Sequence, residues 1–163
     1  MVTGRQGIGK QGSGDGWAQG PSGQPVWGRF GAAGLFLIAD GAVLLQHRAP
    51  WTNMGGTWGI PGGARDAGES AQAAALRETV EECGIDSREV TVVAQEVTAG
   101  PGPSGWTYTT VIATAPRQLE TQANAESVEL RWVPLTQLWA GTTGLDLLEP
   151  FAQALPRLRE ICR

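Results

Sequence analysis

The segment from Trp58 to Ile85 constrains this chain more than any other. Thr57 to Ile60 reads as a short strand, and Pro61-Gly62-Gly63 directly after it disfavours helix. From Ser70 the composition changes to alanines, Leu76, Arg77 and glutamates, all good helix formers, so the pattern predicts a helix from Ser70 to Cys83. Ser70 is the expected N-cap and Gly84 the expected stop. At about 100° per residue, Glu78, Glu81 and Glu82 fall on one face, expected to be exposed. Ala73, Leu76, Val80 and Cys83 cluster on the other, expected to be core. Glu78 and Glu82 repel at i,i+4 spacing by about 0.2–0.5 kcal/mol. A solvated acidic face would account for three glutamates by themselves. A site that gathers cations accounts for them equally well, and oxygen-only donors fit magnesium or manganese.

The rest of the chain supplies a frame for that segment. Met1 to about Pro25 is glycine-rich and without period, so residues 1–26 are expected to be a disordered arm ahead of a folded domain at 27–163. In the arm, Gly4 to Lys10 spells the opening of a phosphate-binding loop. Gln11 stands where a hydroxyl is needed and no apolar strand precedes it, so the match reads as chance. Phe30–Ala39 and Val43–Arg48 are expected strands joined by a two-residue turn at Asp40-Gly41. Val90–Val97, Trp106–Ala115 and Val128–Val133 are further strands, the last with Val128, Leu130 and Trp132 on one face. Leu135–Trp139 is a turn or two of helix. A final helix covers Glu149–Ile161, with Phe151, Leu155 and Leu158 on one side and Pro156 within it. Strands and helices so mixed imply an α/β (α+β) sandwich rather than a βαβ repeat.

Charge and histidine count narrow the chemistry. A net charge of −4 carries no basic footprint for duplex nucleic acid, so a small charged substrate must be met by a local site or a metal. His47 is the sole histidine, which excludes multi-histidine zinc sites, and it could touch a phosphate from its strand end. Cys83 and Cys162 lack metal-ligand spacing and point to a reducing compartment. With no stretch apolar enough to span a membrane and no signal-peptide core, a cytoplasmic protein is expected.

From Gly63 onward the residues read Gly63, five residues, Glu69, seven residues, then Arg77-Glu78-Thr79-Val80-Glu81-Glu82-Cys83-Gly84-Ile85. This resembles the Nudix box, G-x5-E-x7-R-E-U-x-E-E-x-G-U with U a bulky aliphatic residue. Gly63, Glu69, Arg77, Glu78, Glu81, Glu82, Gly84 and Ile85 match, and Thr79 departs at a packing position. Trp58-Gly59-Ile60-Pro61-Gly62-Gly63 looks like the lead-in of MutT-like members. The resemblance implies a mixed sheet between helices, with the box as loop–helix–loop. It also implies metal-dependent hydrolysis, with Mg2+ or Mn2+, of a diphosphate bond in a nucleoside diphosphate-linked substrate. Carried over by position, Glu78, Glu82, Glu81 and the carbonyl of Gly62 would hold metal. Arg77 would steer Glu81 and be held by Glu69. Glu126, before the Val128 strand, stands where MutT-like members carry a loop glutamate near the metals, as ligand or base, whereas Glu129 reads as a surface partner of Arg131.

Trp51, Trp106 and Tyr108 are candidates to stack on a base and Asn53 to read its edge, with core packing the alternative for each tryptophan. The preferred substrate is a nucleoside triphosphate, with an oxidised one such as 8-oxo-dGTP included, giving monophosphate and pyrophosphate. An ADP-ribose or nucleotide-sugar pyrophosphatase is the alternative, for which Pro101, sixteen residues after Ile85, is the one sign. A non-catalytic nucleotide sensor is a third reading, disfavoured because the box carboxylates are all kept. The partner is then a small nucleotide, with the protein a monomer or homodimer.

Overall fold

The computed structural model describes residues 12–163. Its frame is a seven-stranded mixed sheet. β3 (Ala32–Ala39) and β4 (Ala42–Arg48) form an antiparallel hairpin. Its turn works because both central residues take left-handed backbone, Asp40 at φ 49° and Gly41 at φ 72°. On its other side β3 runs parallel to β8 (Tyr108–Thr114), which pairs antiparallel with β7 (Thr91–Ala99). β4 is flanked by β5 (Trp58–Gly59) and β9 (Ser127–Pro134), and β6 (Gly62–Ala64) pairs with the start of β3.

Both faces of the sheet are covered, which is why β3 reads as one apolar run rather than an alternation. Ala33, Leu35, Leu37, Leu44, Val111 and Ala113 pack under α1 (Ala71–Cys83). Phe36, Val43, Leu45, Trp58 and Ile112 pack under α2 (Leu135–Ala140) and α3 (Glu149–Ile161). The result is the α/β sandwich expected, with α1 on one side and the two later helices on the other.

Two local expectations change. Residues 12–26 are not structureless, because β1 (Trp17–Gln19) and β2 (Pro25–Trp27) form a small antiparallel hairpin. What orders it is backbone pairing and one edge-to-face contact of Trp17 with Trp27, centroids 5.2 Å apart, neither of which has a period in the sequence. It is tied to the loop ahead of α1 by Gly14 N to Asp66 Oδ1 at 2.9 Å and Ala67 N to Gly12 O at 2.9 Å. The phosphate-loop-like run Gly4–Lys10 lies outside the described residues. In β9, Leu130 and Trp132 do pack against the core, but Val128 is turned out and 57% exposed. A register shift between His47 and Arg48 makes Glu129 face His47 and Ser127 face Arg48, so Val128 is the bulged residue.

Candidate active site

The helix forms for the local reasons anticipated. Ser70 Oγ accepts from Ala73 N at 3.1 Å, and Gly84 closes the helix in left-handed backbone at φ 66° with its N–H on Val80 O. Its orientation differs from the one inferred. Ala71, Ala74, Ala75, Thr79, Glu82 and Cys83 are the buried positions, while Ala73 and Val80 face solvent. The small side chains of Ala74 and Ala75 let the helix come down onto β3 and β6, and that close approach carries Glu82 inward until it is 3% exposed. Thr79, the departure from the box, is fully buried and donates its hydroxyl to Ala75 O at 2.7 Å, so its polar atom is satisfied within the helix.

Glu82 Oε2 accepts from Gly62 N at 3.0 Å, and its carboxyl group lies close enough to that of Glu126 for the two to interact. Burial first, then Glu126 and Glu78, push the Glu82 carboxyl up to about 9. Glu78 is also raised, by burial, against the opposing pull of Arg77. The glycines explain how the turn fits against these groups. A Cβ on Gly63 would lie 2.7 Å from Glu78 Cδ, and one on Gly62 2.3 Å from Ala33 O. Both glycines serve close approach within the protein. Gly62→Ala meets rigid backbone and should lower stability by about 1–3 kcal/mol. Gly63→Ala meets only a carboxylate end and should spare stability while cutting turnover about tenfold or more by displacing Glu78. Thermal melts beside rate measurements check the pair, and equal losses of stability in both would contradict this account.

Arg77 organises the loop before the helix. Its Nε and Nη2 bond both oxygens of Glu69 at 2.9 Å, its Nη1 bonds Glu78 Oε1 at 2.9 Å, and Nη2 also reaches Ala64 O at 3.1 Å. Asp66 and Glu81 complete the surround at 3.6 and 3.7 Å. Glu69 Oε1 in turn accepts from Asp66 N at 3.0 Å, and the arginine holds the Glu69 carboxyl below the usual carboxylate range. The pairing of Glu69, Arg77 and Glu81 expected from spacing is present.

The outer candidates separate. Tyr108 is brought inward, its phenol close enough to Glu82 and Arg48 to feel both charges, and a Cβ on Gly34 would strike its Oη at 2.0 Å. Trp106 is buried, its Nε1 on Trp27 O at 3.3 Å, so it packs the hairpin and offers no face to a base. Trp51 is 68% exposed on the loop after β4, and Asn53 is exposed there too, its carbonyl accepting from Arg48 Nε at 3.0 Å. His47 stacks on Trp58 with centroids 4.6 Å apart and its Nε2 meets Gly56 O, an arrangement spent on the loop rather than on a phosphate. Glu129 and Arg131 form the surface pair expected. Sequence reasoning passed over Arg48 and Gln46; the signal for Gln46 was an amide following Val43-Leu44-Leu45.

Among the described residues no three acidic, histidine or cysteine side chains are placed so that together they could hold a metal ion. The donor chemistry nonetheless suits a hard divalent cation: Glu78, Glu82 and Glu126 converge, and the nearest cation, Arg77, faces Glu78 and Glu69. A divalent ion would supply the compensation that burial withholds from Glu82.

The sequence profile described as NUDIX domain matches residues 28–155. A Mycobacterium tuberculosis protein named "Putative 8-oxo-dGTP diphosphatase 3" is 49% identical over 157 residues, which is 91% of this chain and 70% of that protein. The crystal structure of a Nudix hydrolase from M. smegmatis, RenU, superposes with a TM-score of 0.82 at 48% identity, covering 91% of this chain and 95% of that one. A bifunctional NMN adenylyltransferase/ADP ribose pyrophosphatase from Francisella tularensis, complexed with AMP and a manganese ion, shares the fold at a TM-score of 0.63 and 19% identity, over 82% of this chain and 42% of that one.

Proposed function

The chain belongs to the NUDIX family of hydrolases, which generally use a divalent metal and act on nucleotides, and from that premise we propose that it hydrolyses 8-oxo-dGTP or a related purine nucleoside triphosphate to the monophosphate and pyrophosphate. The reaction rests on one observation, the convergence of Glu78, Glu82 and Glu126 beside the Gly62-Gly63 turn. The substrate rests on the likeness to the mycobacterial diphosphatase. We place the hydrolase domain at residues 27–163, with the preceding hairpin appended to it.

Glu78, Glu81, Glu82 and the carbonyl of Gly62 would hold Mg2+ or Mn2+. A divalent ion held by these groups would supply neutralisation of the diphosphate charge, polarisation of a phosphoryl oxygen and a lowered pKa for the attacking water. The chain's own groups do the rest. Glu126 takes a proton from the water as its oxygen bonds to phosphorus, the anhydride bond between the α and β phosphorus atoms breaks, and monophosphate and pyrophosphate separate. Arg77, fixed by Glu69, keeps Glu78 and Glu81 facing the turn. Tyr108 borders the nucleoside side, and Trp51 and Asn53 sit on the loop that would fold over the base.

Chromatographic product analysis with magnesium, offering 8-oxo-dGTP, dGTP, ADP-ribose and a nucleotide-sugar, tests this reading. Monophosphate and pyrophosphate, formed fastest from 8-oxo-dGTP, are expected. AMP and ribose 5-phosphate from ADP-ribose alone would replace the assignment with a pyrophosphatase of that class. Binding without turnover of any of them would make the protein a sensor.

A further inference from the structure

Gln46 stands in β4 where an apolar side chain is expected. It shares a face with Leu44, lies between Gly59 and Leu130 in the sheet, and is 1% exposed. Its Nε2 donates to Ser127 Oγ at 2.8 Å. Its Oε1 is the one buried side-chain polar atom among the described residues with no partner. A leucine would fill the same place without stranding a carbonyl, so packing does not account for the amide.

What the amide reaches is the bulged start of β9. Ser127 is the residue at which the register slips past Val128, and the residue before it is Glu126. The rest of this corner is held by backbone and by Asn124: Ala49 N donates to Glu126 O at 2.9 Å, Glu126 N to Asn124 Oδ1 at 2.9 Å, and Asn124 Nδ2 to Glu81 O at 3.2 Å. These contacts fix the peptide of Glu126. The Gln46–Ser127 bond fixes the turn of chain on its other side, at the point where the bulge decides which way the Glu126 side chain leaves the strand.

We infer that Gln46 is a positioning residue for the hydrolysis: through Ser127 it holds the bulge at Val128, so that the Glu126 carboxyl stays against Glu82. The inference rests on the role proposed for Glu126. Its cost, a buried carbonyl without a donor, is the kind of local concession that a functional constraint explains and a purely structural one does not.

The test is a double-mutant cycle on the full chain with magnesium and the fastest substrate of the panel, using Gln46→Leu, Ser127→Ala, Glu126→Gln and the Gln46→Leu/Glu126→Gln pair. Gln46→Leu should lower kcat about 10–100-fold with KM changed by less than about threefold. Its melting temperature should be unchanged or higher, since the stranded carbonyl is gone. Ser127→Ala should lower kcat likewise. In the Glu126→Gln background, Gln46→Leu should cost nothing further. A full kcat in Gln46→Leu, or the same fractional loss with and without Glu126, would overturn the inference while leaving the role of Glu126 intact. A parental kcat in Glu126→Gln would instead remove the role of Glu126, and the inference with it.

Discussion

Glu82→Gln should lose about 10³-fold or more of its turnover, equivalent to about 4 kcal/mol of transition-state stabilisation, and yet be no less stable than the parent when metal is absent. The two halves have one cause. Glu82 is 3% exposed, and its carboxyl is pushed up to about 9 by burial and by the neighbouring Glu126 and Glu78. A carboxyl raised in the folded state binds its proton more tightly there than in the unfolded chain. Stability is therefore full below the ordinary glutamate range and falls as pH rises from about 4.5 towards about 9. Glutamine imitates the neutral form and removes that slope. Melting curves in chelator across this window should decline for the parent and stay flatter for Glu82→Gln, and manganese should restore the parent alone. A folded Glu82→Gln protein of near-parental activity would eliminate the assigned metal site. A parent whose stability rises across the window would contradict the burial of an uncompensated Glu82.

Arg77→Ala should be the most damaging substitution outside the carboxylates themselves. The guanidinium binds Glu69 through two nitrogens, Glu78 through a third contact and the Ala64 carbonyl through a fourth. The side chains of Glu69 and Glu78 are only 16% and 17% exposed, so removing the arginine leaves two carboxylates short of compensation. Breaking a part-buried pair of this kind costs about 3 kcal/mol. Turnover should fall about 10²-fold, because Glu78 and the loop before the helix lose their fixed placement. Arg77→Lys should rescue little, since a single ammonium cannot present the planar fork that holds both oxygens of Glu69. Thermal unfolding and kcat for the two variants measure this, and a lysine variant matching the parent in both would refute the hub.

Much of the site was legible because its signals are local. The caps at Ser70 and Gly84, the left-handed turn at Asp40-Gly41 and the box spacing that brings Glu69 onto Arg77 each depend on residues within a turn or two of one another. Neighbours in sequence fix such geometry through backbone propensity and short hydrogen bonds, so the sequence by itself determined the main strands and helices from Ala32 onward, the helix that carries the carboxylates and the family, but neither the β1–β2 hairpin nor the short strand Gly62–Ala64. The tertiary structure alone decided which way that helix turned. Helical spacing put Glu82 with Glu78 and Glu81 on a face taken to be exposed, but the small Ala74 and Ala75 let α1 settle onto β3 and β6, and Gly62 N was there to receive the buried carboxylate. The same holds for Val128, turned out by a bulge set against β4, for Trp106, covered by a hairpin that no period announced, and for Gln46, whose partner lies 81 residues away. Each depends on which distant surfaces meet, and that is settled by burial and register across the sheet, quantities no stretch of sequence contains.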